Sequence, residues 1–311
     1  MNPATRSAFP GFAWSLSRQK TLAECPRRYA YEYYFSHNGW LADAPEETKR
    51  IYRLKKLTSL EMFFGSSLHN VIQNAISNYS KSRKIPRPDD LVRLVRSSLN
   101  AAYIDSTRHY GLWFDKPSRY TMFRDVYYGD GLPPDKIEEI RSRIGACAES
   151  FPKSKTFREI SGGRNVRLME LERFRTLPFA DVDVVVVMDI VYRDRDTGRW
   201  VVADWKTGKE SAEDRTQLAL YAMYLQKLYD IPSIRDITIR NEYLATGTWR
   251  EYKLEPIDID NTLYVLERSV MEMRRYMEDI DGNVPYELEA FPLTEYTRHC
   301  ERCNFKELCG R

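Results

Sequence analysis

The sequence predicts an α/β fold in which a mixed central sheet is flanked by helices and carries a helical insertion. Helical periodicity dominates the first half of the chain, alternating and β-branched segments begin after Gly163, and one amphipathic helix lies among those strands. The 311 residues, 42% hydrophobic and 30% charged, are enough to build a substantial core. No linker-like stretch divides the chain, so we expect a single domain over residues 1–311.

The first half of the chain is predicted to be helical from about residue 15 to residue 160. Pro26 interrupts the first helix, because proline removes a backbone hydrogen bond. Gly65 is expected to mark the approach to the second helix, and Pro88 begins the third. The segment 111–132 is rich in Gly, Tyr and Asp and is predicted to be a connecting loop. The predicted helices cover residues 17–35, 65–83, 88–110 and 133–151.

An α/β core is predicted over residues 163–255. Its strands are recognised by alternation or by β-branched runs such as "DVDVVVVMDIVYRD", and its helix by apolar residues at helical spacing. Residues 256–311 follow as a long helix, over about 258–280, and a cysteine-containing tail. The predicted core consists of strands 166–176, 182–192, 199–206, 235–244 and 249–254 and a helix over 214–229.

Positive charge is concentrated in one part of a nearly neutral protein. The net charge is +3, yet residues 49–96 contain eleven Lys and Arg residues against three acidic ones. Such a segment indicates a surface that faces a polyanion, although solvated helix faces often have the same composition. No apolar run is long enough to cross a bilayer, and five cysteines without a signal peptide are few for a secreted protein. We therefore expect a cytoplasmic protein that does not contact a membrane.

Two predicted strands carry charged residues among apolar ones. In "VVADWKTGK", Asp204 and Lys206 project from one face of their strand and Trp205 from the other. Asp189 interrupts the run "VVVVMDIVY", where an unpaired carboxylate would be costly. If the two strands form a hairpin, Asp189 and Asp204 lie close together, and a divalent cation would relieve their repulsion. The alternative is that Asp189 pairs with an arginine and Asp204 starts a turn.

Four short motifs, in this order, resemble those of the PD-(D/E)XK nuclease superfamily, and more closely its RecB-type exonuclease branch. They are "GSSLH" with His69, "VMDIV" with Asp189, "DWKTG" with Asp204 and Lys206, and "QLALY" with Gln217 and Tyr221. Glu170 or Glu172, on the preceding strand, is a further candidate carboxylate. Val186 departs from the pattern, since a glycine is common three residues before the strand aspartate. The resemblance implies a restriction-endonuclease-like core.

The resemblance further implies a Mg²⁺- or Mn²⁺-dependent deoxyribonuclease. It would be an exonuclease or end-processing enzyme that acts on single-stranded DNA or DNA ends in repair, recombination or CRISPR adaptation. Lys206 would position the attacking water, and Gln217 and Tyr221 would line the substrate face. The basic segment and the aromatic helix 29–35 are candidates for contacting a single strand, with core packing as the alternative for the tyrosines. The ligands of one or two metal ions would be His69, Asp189, Asp204 and the backbone carbonyl of Trp205.

Two other functions fit the sequence. A non-catalytic DNA-end-binding subunit of a larger helicase–nuclease complex would keep the fold without cleaving DNA. An RNA-directed nuclease is the second. The chain contains no G-x-x-x-x-G-K-[ST] loop, so any helicase would have to be a separate partner.

Four cysteines form a second candidate site. Cys25 opens "CPRRYAYEYY", and the tail "HCERCNFKELCG" contains Cys300, Cys303 and Cys309. Four thiolates hold either zinc or an iron–sulfur cluster. One cysteine before a nuclease core and three after it is similar to the iron–sulfur members of the same family, such as AddB-type and CRISPR-associated adaptation nucleases. This implies a 4Fe–4S cluster that joins the N- and C-terminal segments, with zinc as the alternative. Cys147 is expected to be a core residue.

Overall fold

The computed structural model describes residues 7–129, 131–162, 165–179, 181–208, 210 and 213–311. A π-helical turn, Tyr31–Phe35, continues directly from the helix Pro26–Ala30. The helices are α1 (Leu16–Glu24), α2 (Pro26–Ala30), α3 (Glu46–Lys55), α4 (Leu60–Ser82), α5 (Pro88–Arg108), α6 (Tyr110–Asp115), α7 (Arg124–Tyr127), α8 (Pro134–Ser150), α9 (Lys155–Gly162), α10 (Glu213–Leu228), α11 (Pro256–Arg274), α12 (Arg298–Glu301) and α13 (Lys306–Cys309). The strands are β1 (Ala13–Trp14), β2 (Leu57–Thr58), β3 (Met122–Phe123), β4 (Val166–Phe179), β5 (Val182–Asp194), β6 (Trp200–Lys206), β7 (Ile237–Tyr243), β8 (Thr248–Tyr252), β9 (Met277–Asp279) and β10 (Val284–Pro285).

The predicted helix boundaries are wrong at several points. Helix α4 begins at Leu60 because Ser59 caps it, with its Oγ accepting a hydrogen bond from the N–H of Met62 at 3.2 Å. Gly65 therefore lies inside the helix and not at its approach. The segment 111–132 is not a loop, since it contains most of α6 and all of β3 and α7.

Several short elements were not predicted, among them β1, α3 and α9. The last long helix ends at Arg274 and not near residue 280. The interruption at Pro26 is confirmed. Cys25 ends α1 and caps α2, and its Sγ accepts a hydrogen bond from the N–H of Arg28 at 3.4 Å.

The central sheet is mixed, and the predicted fold class is confirmed. Strands β4 and β5 form a long antiparallel hairpin, and β6 pairs antiparallel with β5, as the predicted hairpin requires. The next pair, β6 and β7, is parallel because α10 crosses over between them. Strand β8 is antiparallel to β7, and β1 adds to β5 in parallel. This arrangement is consistent with a restriction-endonuclease-like core.

The sheet separates two hydrophobic cores. Val202, Leu218 and Val270 belong to the core on the side of α10 and α11, while Ile72 and Trp205 belong to the core on the side of α4 and α8. Because side chains alternate along a strand, β6 sends Val202 to the first core and Trp205 to the second. Asp204 consequently faces the side of α10.

A third cluster attaches the C-terminal tail to the N-terminal helices. Tyr31 packs against Phe305 with ring centroids 5.3 Å apart, and Arg50 pairs with Glu307 at 2.7 Å. Arg27 Nε donates to the carbonyl of Phe291 at 2.7 Å. The tail therefore lies beside α2 and α3. Among the described residues, no helix is both long enough and apolar enough to cross a membrane.

Candidate active site

A cleft of about 790 Å³ opens along the edge of β5. Within the described residues, that edge pairs with β1 at Asp183 and Val184 and with β6 from Ile190 to Arg193. The stretch of β5 between these two pairings lines the cleft. The start of α1, from Ser15 onwards, forms one wall, and α10 contributes to another. The cleft therefore lies where neighbouring strands leave the edge of β5 uncovered.

One side of this site is a cluster of His69, Glu172 and Asp189. The Nδ1 atom of His69 lies 3.2 Å from Glu172 Oε1 and 3.2 Å from Asp189 Oδ1. Ligand atoms of all three residues lie within 4.8 Å of one another. The other carboxylate oxygen of Asp189 accepts a hydrogen bond from the N–H of Trp205 at 2.8 Å, which fixes the orientation of the carboxylate.

The other side of the site is a polar chain that runs from β6 to α10. Lys206 Nζ lies 2.8 Å from Asp204 Oδ2 and donates to Gln217 Oε1 at 2.8 Å. Gln217 Nε2 then donates to the hydroxyl of Tyr221 at 2.6 Å. Asp204 is buried, and among the described residues its Oδ2 atom has no polar partner other than Lys206. This chain holds the ammonium group of Lys206 beside a buried carboxylate.

Burial and closely spaced carboxylates shift the pKa values of the ionisable groups in this site. Burial and the neighbouring carboxylate of Asp189 raise the pKa of Asp204 to about 7, against the lowering effect of Lys206. Burial lowers the pKa of His69, but Asp189 and Glu172 outweigh it and hold this pKa well above 6.5. Burial, with Asp204 and Asp189 nearby, raises the pKa of Tyr221 well above 10, so its hydroxyl stays protonated. The buried carboxylates therefore stabilise a cation in this cleft.

The cleft brings together the six side chains that the sequence singled out for the site. All of them line it: His69, Asp189, Asp204, Lys206, Gln217 and Tyr221. The side chain of Trp205 turns away and packs against Phe151, with centroids 5.7 Å apart, so only its backbone faces the site. Its carbonyl as a metal ligand stays a prediction.

Glu172 is the residue that sequence reasoning left undecided. Glu170 lies elsewhere, where it pairs with Arg175 at 2.9 Å and accepts a hydrogen bond from Tyr229 at 3.0 Å. Glu172 reaches His69 from a left-handed backbone conformation, φ +46°, in β4. No periodic pattern signals such a conformation in a glutamate. Ser17, Arg18 and Lys20 of α1 also line the cleft and were not predicted, although "SLSRQK" is polar and basic.

Val186, at the position where a glycine is common, lines the cleft but is almost completely buried. Its side chain is 4% exposed and belongs to the core on the side of α10. Val186 therefore forms part of the cleft wall, but most of its side chain packs into the core.

The four cysteines of the predicted cluster lie together. The thiol of Cys309 interacts electrostatically with Cys25 and Cys300, and that of Cys303 with Cys25 and Cys309. Burial, with these neighbours, raises the pKa of Cys303 to about 11. The Sγ atoms of Cys25 and Cys303 accept backbone hydrogen bonds at 3.4 Å, an interaction that also stabilises bound thiolates. Cys147 is completely buried, as predicted.

The described thiols are not arranged as tightly as the ligands of a bound zinc ion. Zinc–sulfur bonds of about 2.3 Å in a tetrahedron place the sulfur atoms about 3.8 Å apart. In the described part of the chain, no three cysteines have sulfur atoms within 4.8 Å of one another. The choice between a zinc ion and an iron–sulfur cluster at these four thiols therefore stays a prediction.

Several residues of the basic segment and of the aromatic helix, both candidates for DNA contact, are buried or paired with acids. Tyr29, Tyr31 and Tyr34 are buried, so the core-packing alternative applies to these three tyrosines. Within the basic segment, several charges are paired with acids, including Arg87 and Arg93 with Asp90. The segment is therefore not one continuous unpaired surface.

Comparison with known proteins identifies the class. The family described as the PD-(D/E)XK nuclease superfamily matches residues 13–310. The chain belongs to this superfamily. A solved structure titled "Crystal structure of SSO0001" is 13% identical, with 77% of this chain and 93% of that chain covered and a TM-score of 0.29, too low for any argument to rest on it. No curated protein matches the chain.

Proposed function

We propose that the protein is a metal-dependent DNA nuclease that hydrolyses phosphodiester bonds at this cleft, as an exonuclease or end-processing enzyme. One observation carries the proposal. In a member of a nuclease superfamily, an imidazole, three carboxylates and a lysine converge on a single cleft. The substrate would be single-stranded DNA or a DNA end.

The side chains fit a hard divalent cation. Carboxylate and carbonyl oxygens are the ligands that Mg²⁺ and Mn²⁺ prefer, and a single imidazole is compatible with Mn²⁺. Four residues would hold it, together with the Trp205 carbonyl: His69, Glu172, Asp189 and Asp204. When bound, the ion would supply Lewis-acid stabilisation of the phosphate and lower the pKa of a bound water.

The other side chains would position the reactants. Lys206 lies beside Asp204 and would orient the attacking water and stabilise charge on the phosphate. Gln217 would help to hold the ammonium of Lys206 in place, since its Oε1 accepts a hydrogen bond from that group. Tyr221, protonated and bonded to Gln217, would donate a hydrogen bond towards the substrate backbone. The N–H of Trp205 would keep Asp189 aimed at the metal.

The cysteine site would hold a 4Fe–4S cluster with a structural role. It would tie α2 to the tail and so close almost the whole chain into a loop, which restricts the unfolded state. The biological setting would be intracellular DNA processing in repair, recombination or CRISPR adaptation. A separate helicase is a candidate partner.

The test compares two lysine variants. Lys206→Ala is expected to abolish cleavage of end-labelled single-stranded DNA in Mn²⁺ while it leaves folding and DNA binding intact. Lys136→Ala is the matched control, because Lys136 is also a partly exposed lysine, 26% against 23%, in a similar ion pair, here with Glu61. If the wild type binds DNA but does not cleave it, the non-catalytic scaffold function replaces this proposal.

A further inference from the structure

A strip of cations and aromatic rings leads away from the cleft. Arg18, which lines the cleft, lies over the ring of Tyr33 with its Cζ 4.7 Å from the centroid. Lys55 Nζ approaches the same ring at 5.9 Å. The next residue, Lys56, places its Nζ 5.2 Å from the ring of Tyr52. Tyr33 with its two cations and Tyr52 with Lys56 are thus linked through the adjacent residues Lys55 and Lys56 at the end of α3.

The strip ends at an exposed tryptophan. Trp40 contacts Tyr52 with centroids 5.6 Å apart and His37 with centroids 5.1 Å apart, both with steeply inclined ring planes. The indole is nevertheless 54% exposed. These two neighbours support the ring while more than half of its surface stays open to solvent.

The turn that carries Trp40 is held tightly against α3. A Cβ on Gly39 would lie 2.6 Å from the carbonyl oxygen of Thr48 and would also collide with the Cβ of Tyr52. Only glycine allows this close approach. The indole therefore belongs to a pre-organised surface.

The charge along the strip favours an anion. Burial lowers the pKa of Lys55, and repulsion from Lys56 and Arg18 lowers it further, while Glu32 opposes the effect. Beyond Trp40 the surface continues into a groove of about 610 Å³ that also contains Lys116 and Arg119. Neither of these two residues forms an ion pair within the described chain. The cations here outnumber the acids that neutralise them.

We propose that this strip is the path of a single DNA strand between the cleft and Trp40, with one base stacked on the indole. The strip consists of Arg18, Tyr33, Lys55, Lys56 and Trp40, and the buried ring of Tyr52 supports Trp40 from below. Aromatic faces combined with a positively charged track are how proteins bind single strands without reading their sequence. The inference rests on the proposed function and specifies its substrate as single-stranded DNA. A blunt duplex, whose bases are already stacked, gains nothing from Trp40.

The test measures binding of fluorescein-labelled dT20 in EDTA, where no cleavage interferes. Trp40→Ala is expected to weaken binding about 5- to 150-fold, the effect of one stacked base, and Trp40→Phe to restore most of it. Trp249→Ala is the matched control, because Trp249 is 44% exposed and also lies under a lysine, with Lys155 Nζ 4.1 Å from its centroid. It should bind like the wild type. Circular dichroism checks that each variant folds.

A second variant tests the cations. Lys56→Gln should reduce the slope of log K against log salt by about 0.7, the value for one lost phosphate contact with a single strand. Lys153→Gln, at an exposed lysine paired with Glu149, should leave the slope unchanged.

Unchanged dT20 binding in Trp40→Ala overturns the proposed path, as does an equal loss of affinity for a blunt duplex. These outcomes are separate from the nuclease assay. If Lys206→Ala abolishes cleavage while Trp40→Ala binds normally, the path is wrong and the proposed function stands. If Trp40→Ala weakens binding but Lys206→Ala still cleaves, the proposed function fails.

Discussion

Removal of the buried charge of Asp204 is expected to stabilise the metal-free protein at alkaline pH. The pKa of this carboxyl is about 7 in the folded state and ordinarily 3.8. Because the folded pKa is the higher one, the folded state binds the proton more tightly, and stability falls as pH rises from about 4 to about 7. The full cost, about 4 kcal/mol, is present above pH 7. The attraction of Lys206 is already included in this pKa, and Asp204→Asn, which resembles the protonated acid, removes the cost.

The assay is urea denaturation in EDTA at pH 5 and pH 8. At pH 8, Asp204→Asn should exceed the wild type by up to about 4 kcal/mol in the free energy of unfolding, and this advantage should shrink to about 2 kcal/mol at pH 5. Addition of Mn²⁺ should reverse the order at pH 8, because only the wild type keeps the full set of ligands and gains free energy from binding the ion.

The control is a buried carboxylate that has both an ion pair and a hydrogen bond. Glu170 is 3% exposed and bonded to Arg175 and Tyr229, so Glu170→Gln should destabilise the protein at pH 8 by about 1–3 kcal/mol. If Asp204→Asn is destabilised at pH 8 as much as Glu170→Gln is, the account of a crowded carboxylate pair is refuted.

Two further predictions concern the metal sites. Cys303→Ser should abolish the visible absorption of anaerobically purified protein and lower its Tm. Cys147→Ala, at a buried cysteine outside the cluster, should keep the absorption. A colourless wild type would refute the iron–sulfur assignment. Glu172→Gln should weaken Mn²⁺ binding in calorimetry by about 10-fold or more, since a carboxylate 3.2 Å from His69 is lost. Glu170→Gln should leave Mn²⁺ binding unchanged. Equal effects of the two variants on Mn²⁺ binding would show that Glu172 is not a ligand.

The strand pattern was enough to predict the centre of the site. Period-two alternation places Asp204 and Lys206 on one face and Trp205 on the other, which is the arrangement found. Asp189 was recognisable because a carboxylate in an apolar strand requires a partner, and that partner is His69 together with the N–H of Trp205. Local rules suffice where a charged residue violates the surrounding pattern.

Other parts of the site depend on contacts that no local pattern encodes. Glu172 reaches His69 from a left-handed backbone conformation that a glutamate rarely adopts. Strand β1 has two residues, too few for periodicity, yet it positions the start of α1 beside the cleft. The place of Trp40 depends on the fit of Gly39 against α3, a contact between segments that only the folded chain brings together.

The most direct test of the central claim is cleavage of end-labelled single-stranded DNA by the wild type and by Asp189→Asn, each in Mn²⁺ and in EDTA. Asp189 is the residue that touches both His69 and the backbone of Trp205, so its loss should disable the metal site. Cleavage by the wild type in Mn²⁺ alone, with none by Asp189→Asn, is the predicted result. Cleavage in EDTA, or cleavage by Asp189→Asn at the rate of the wild type, would contradict the account.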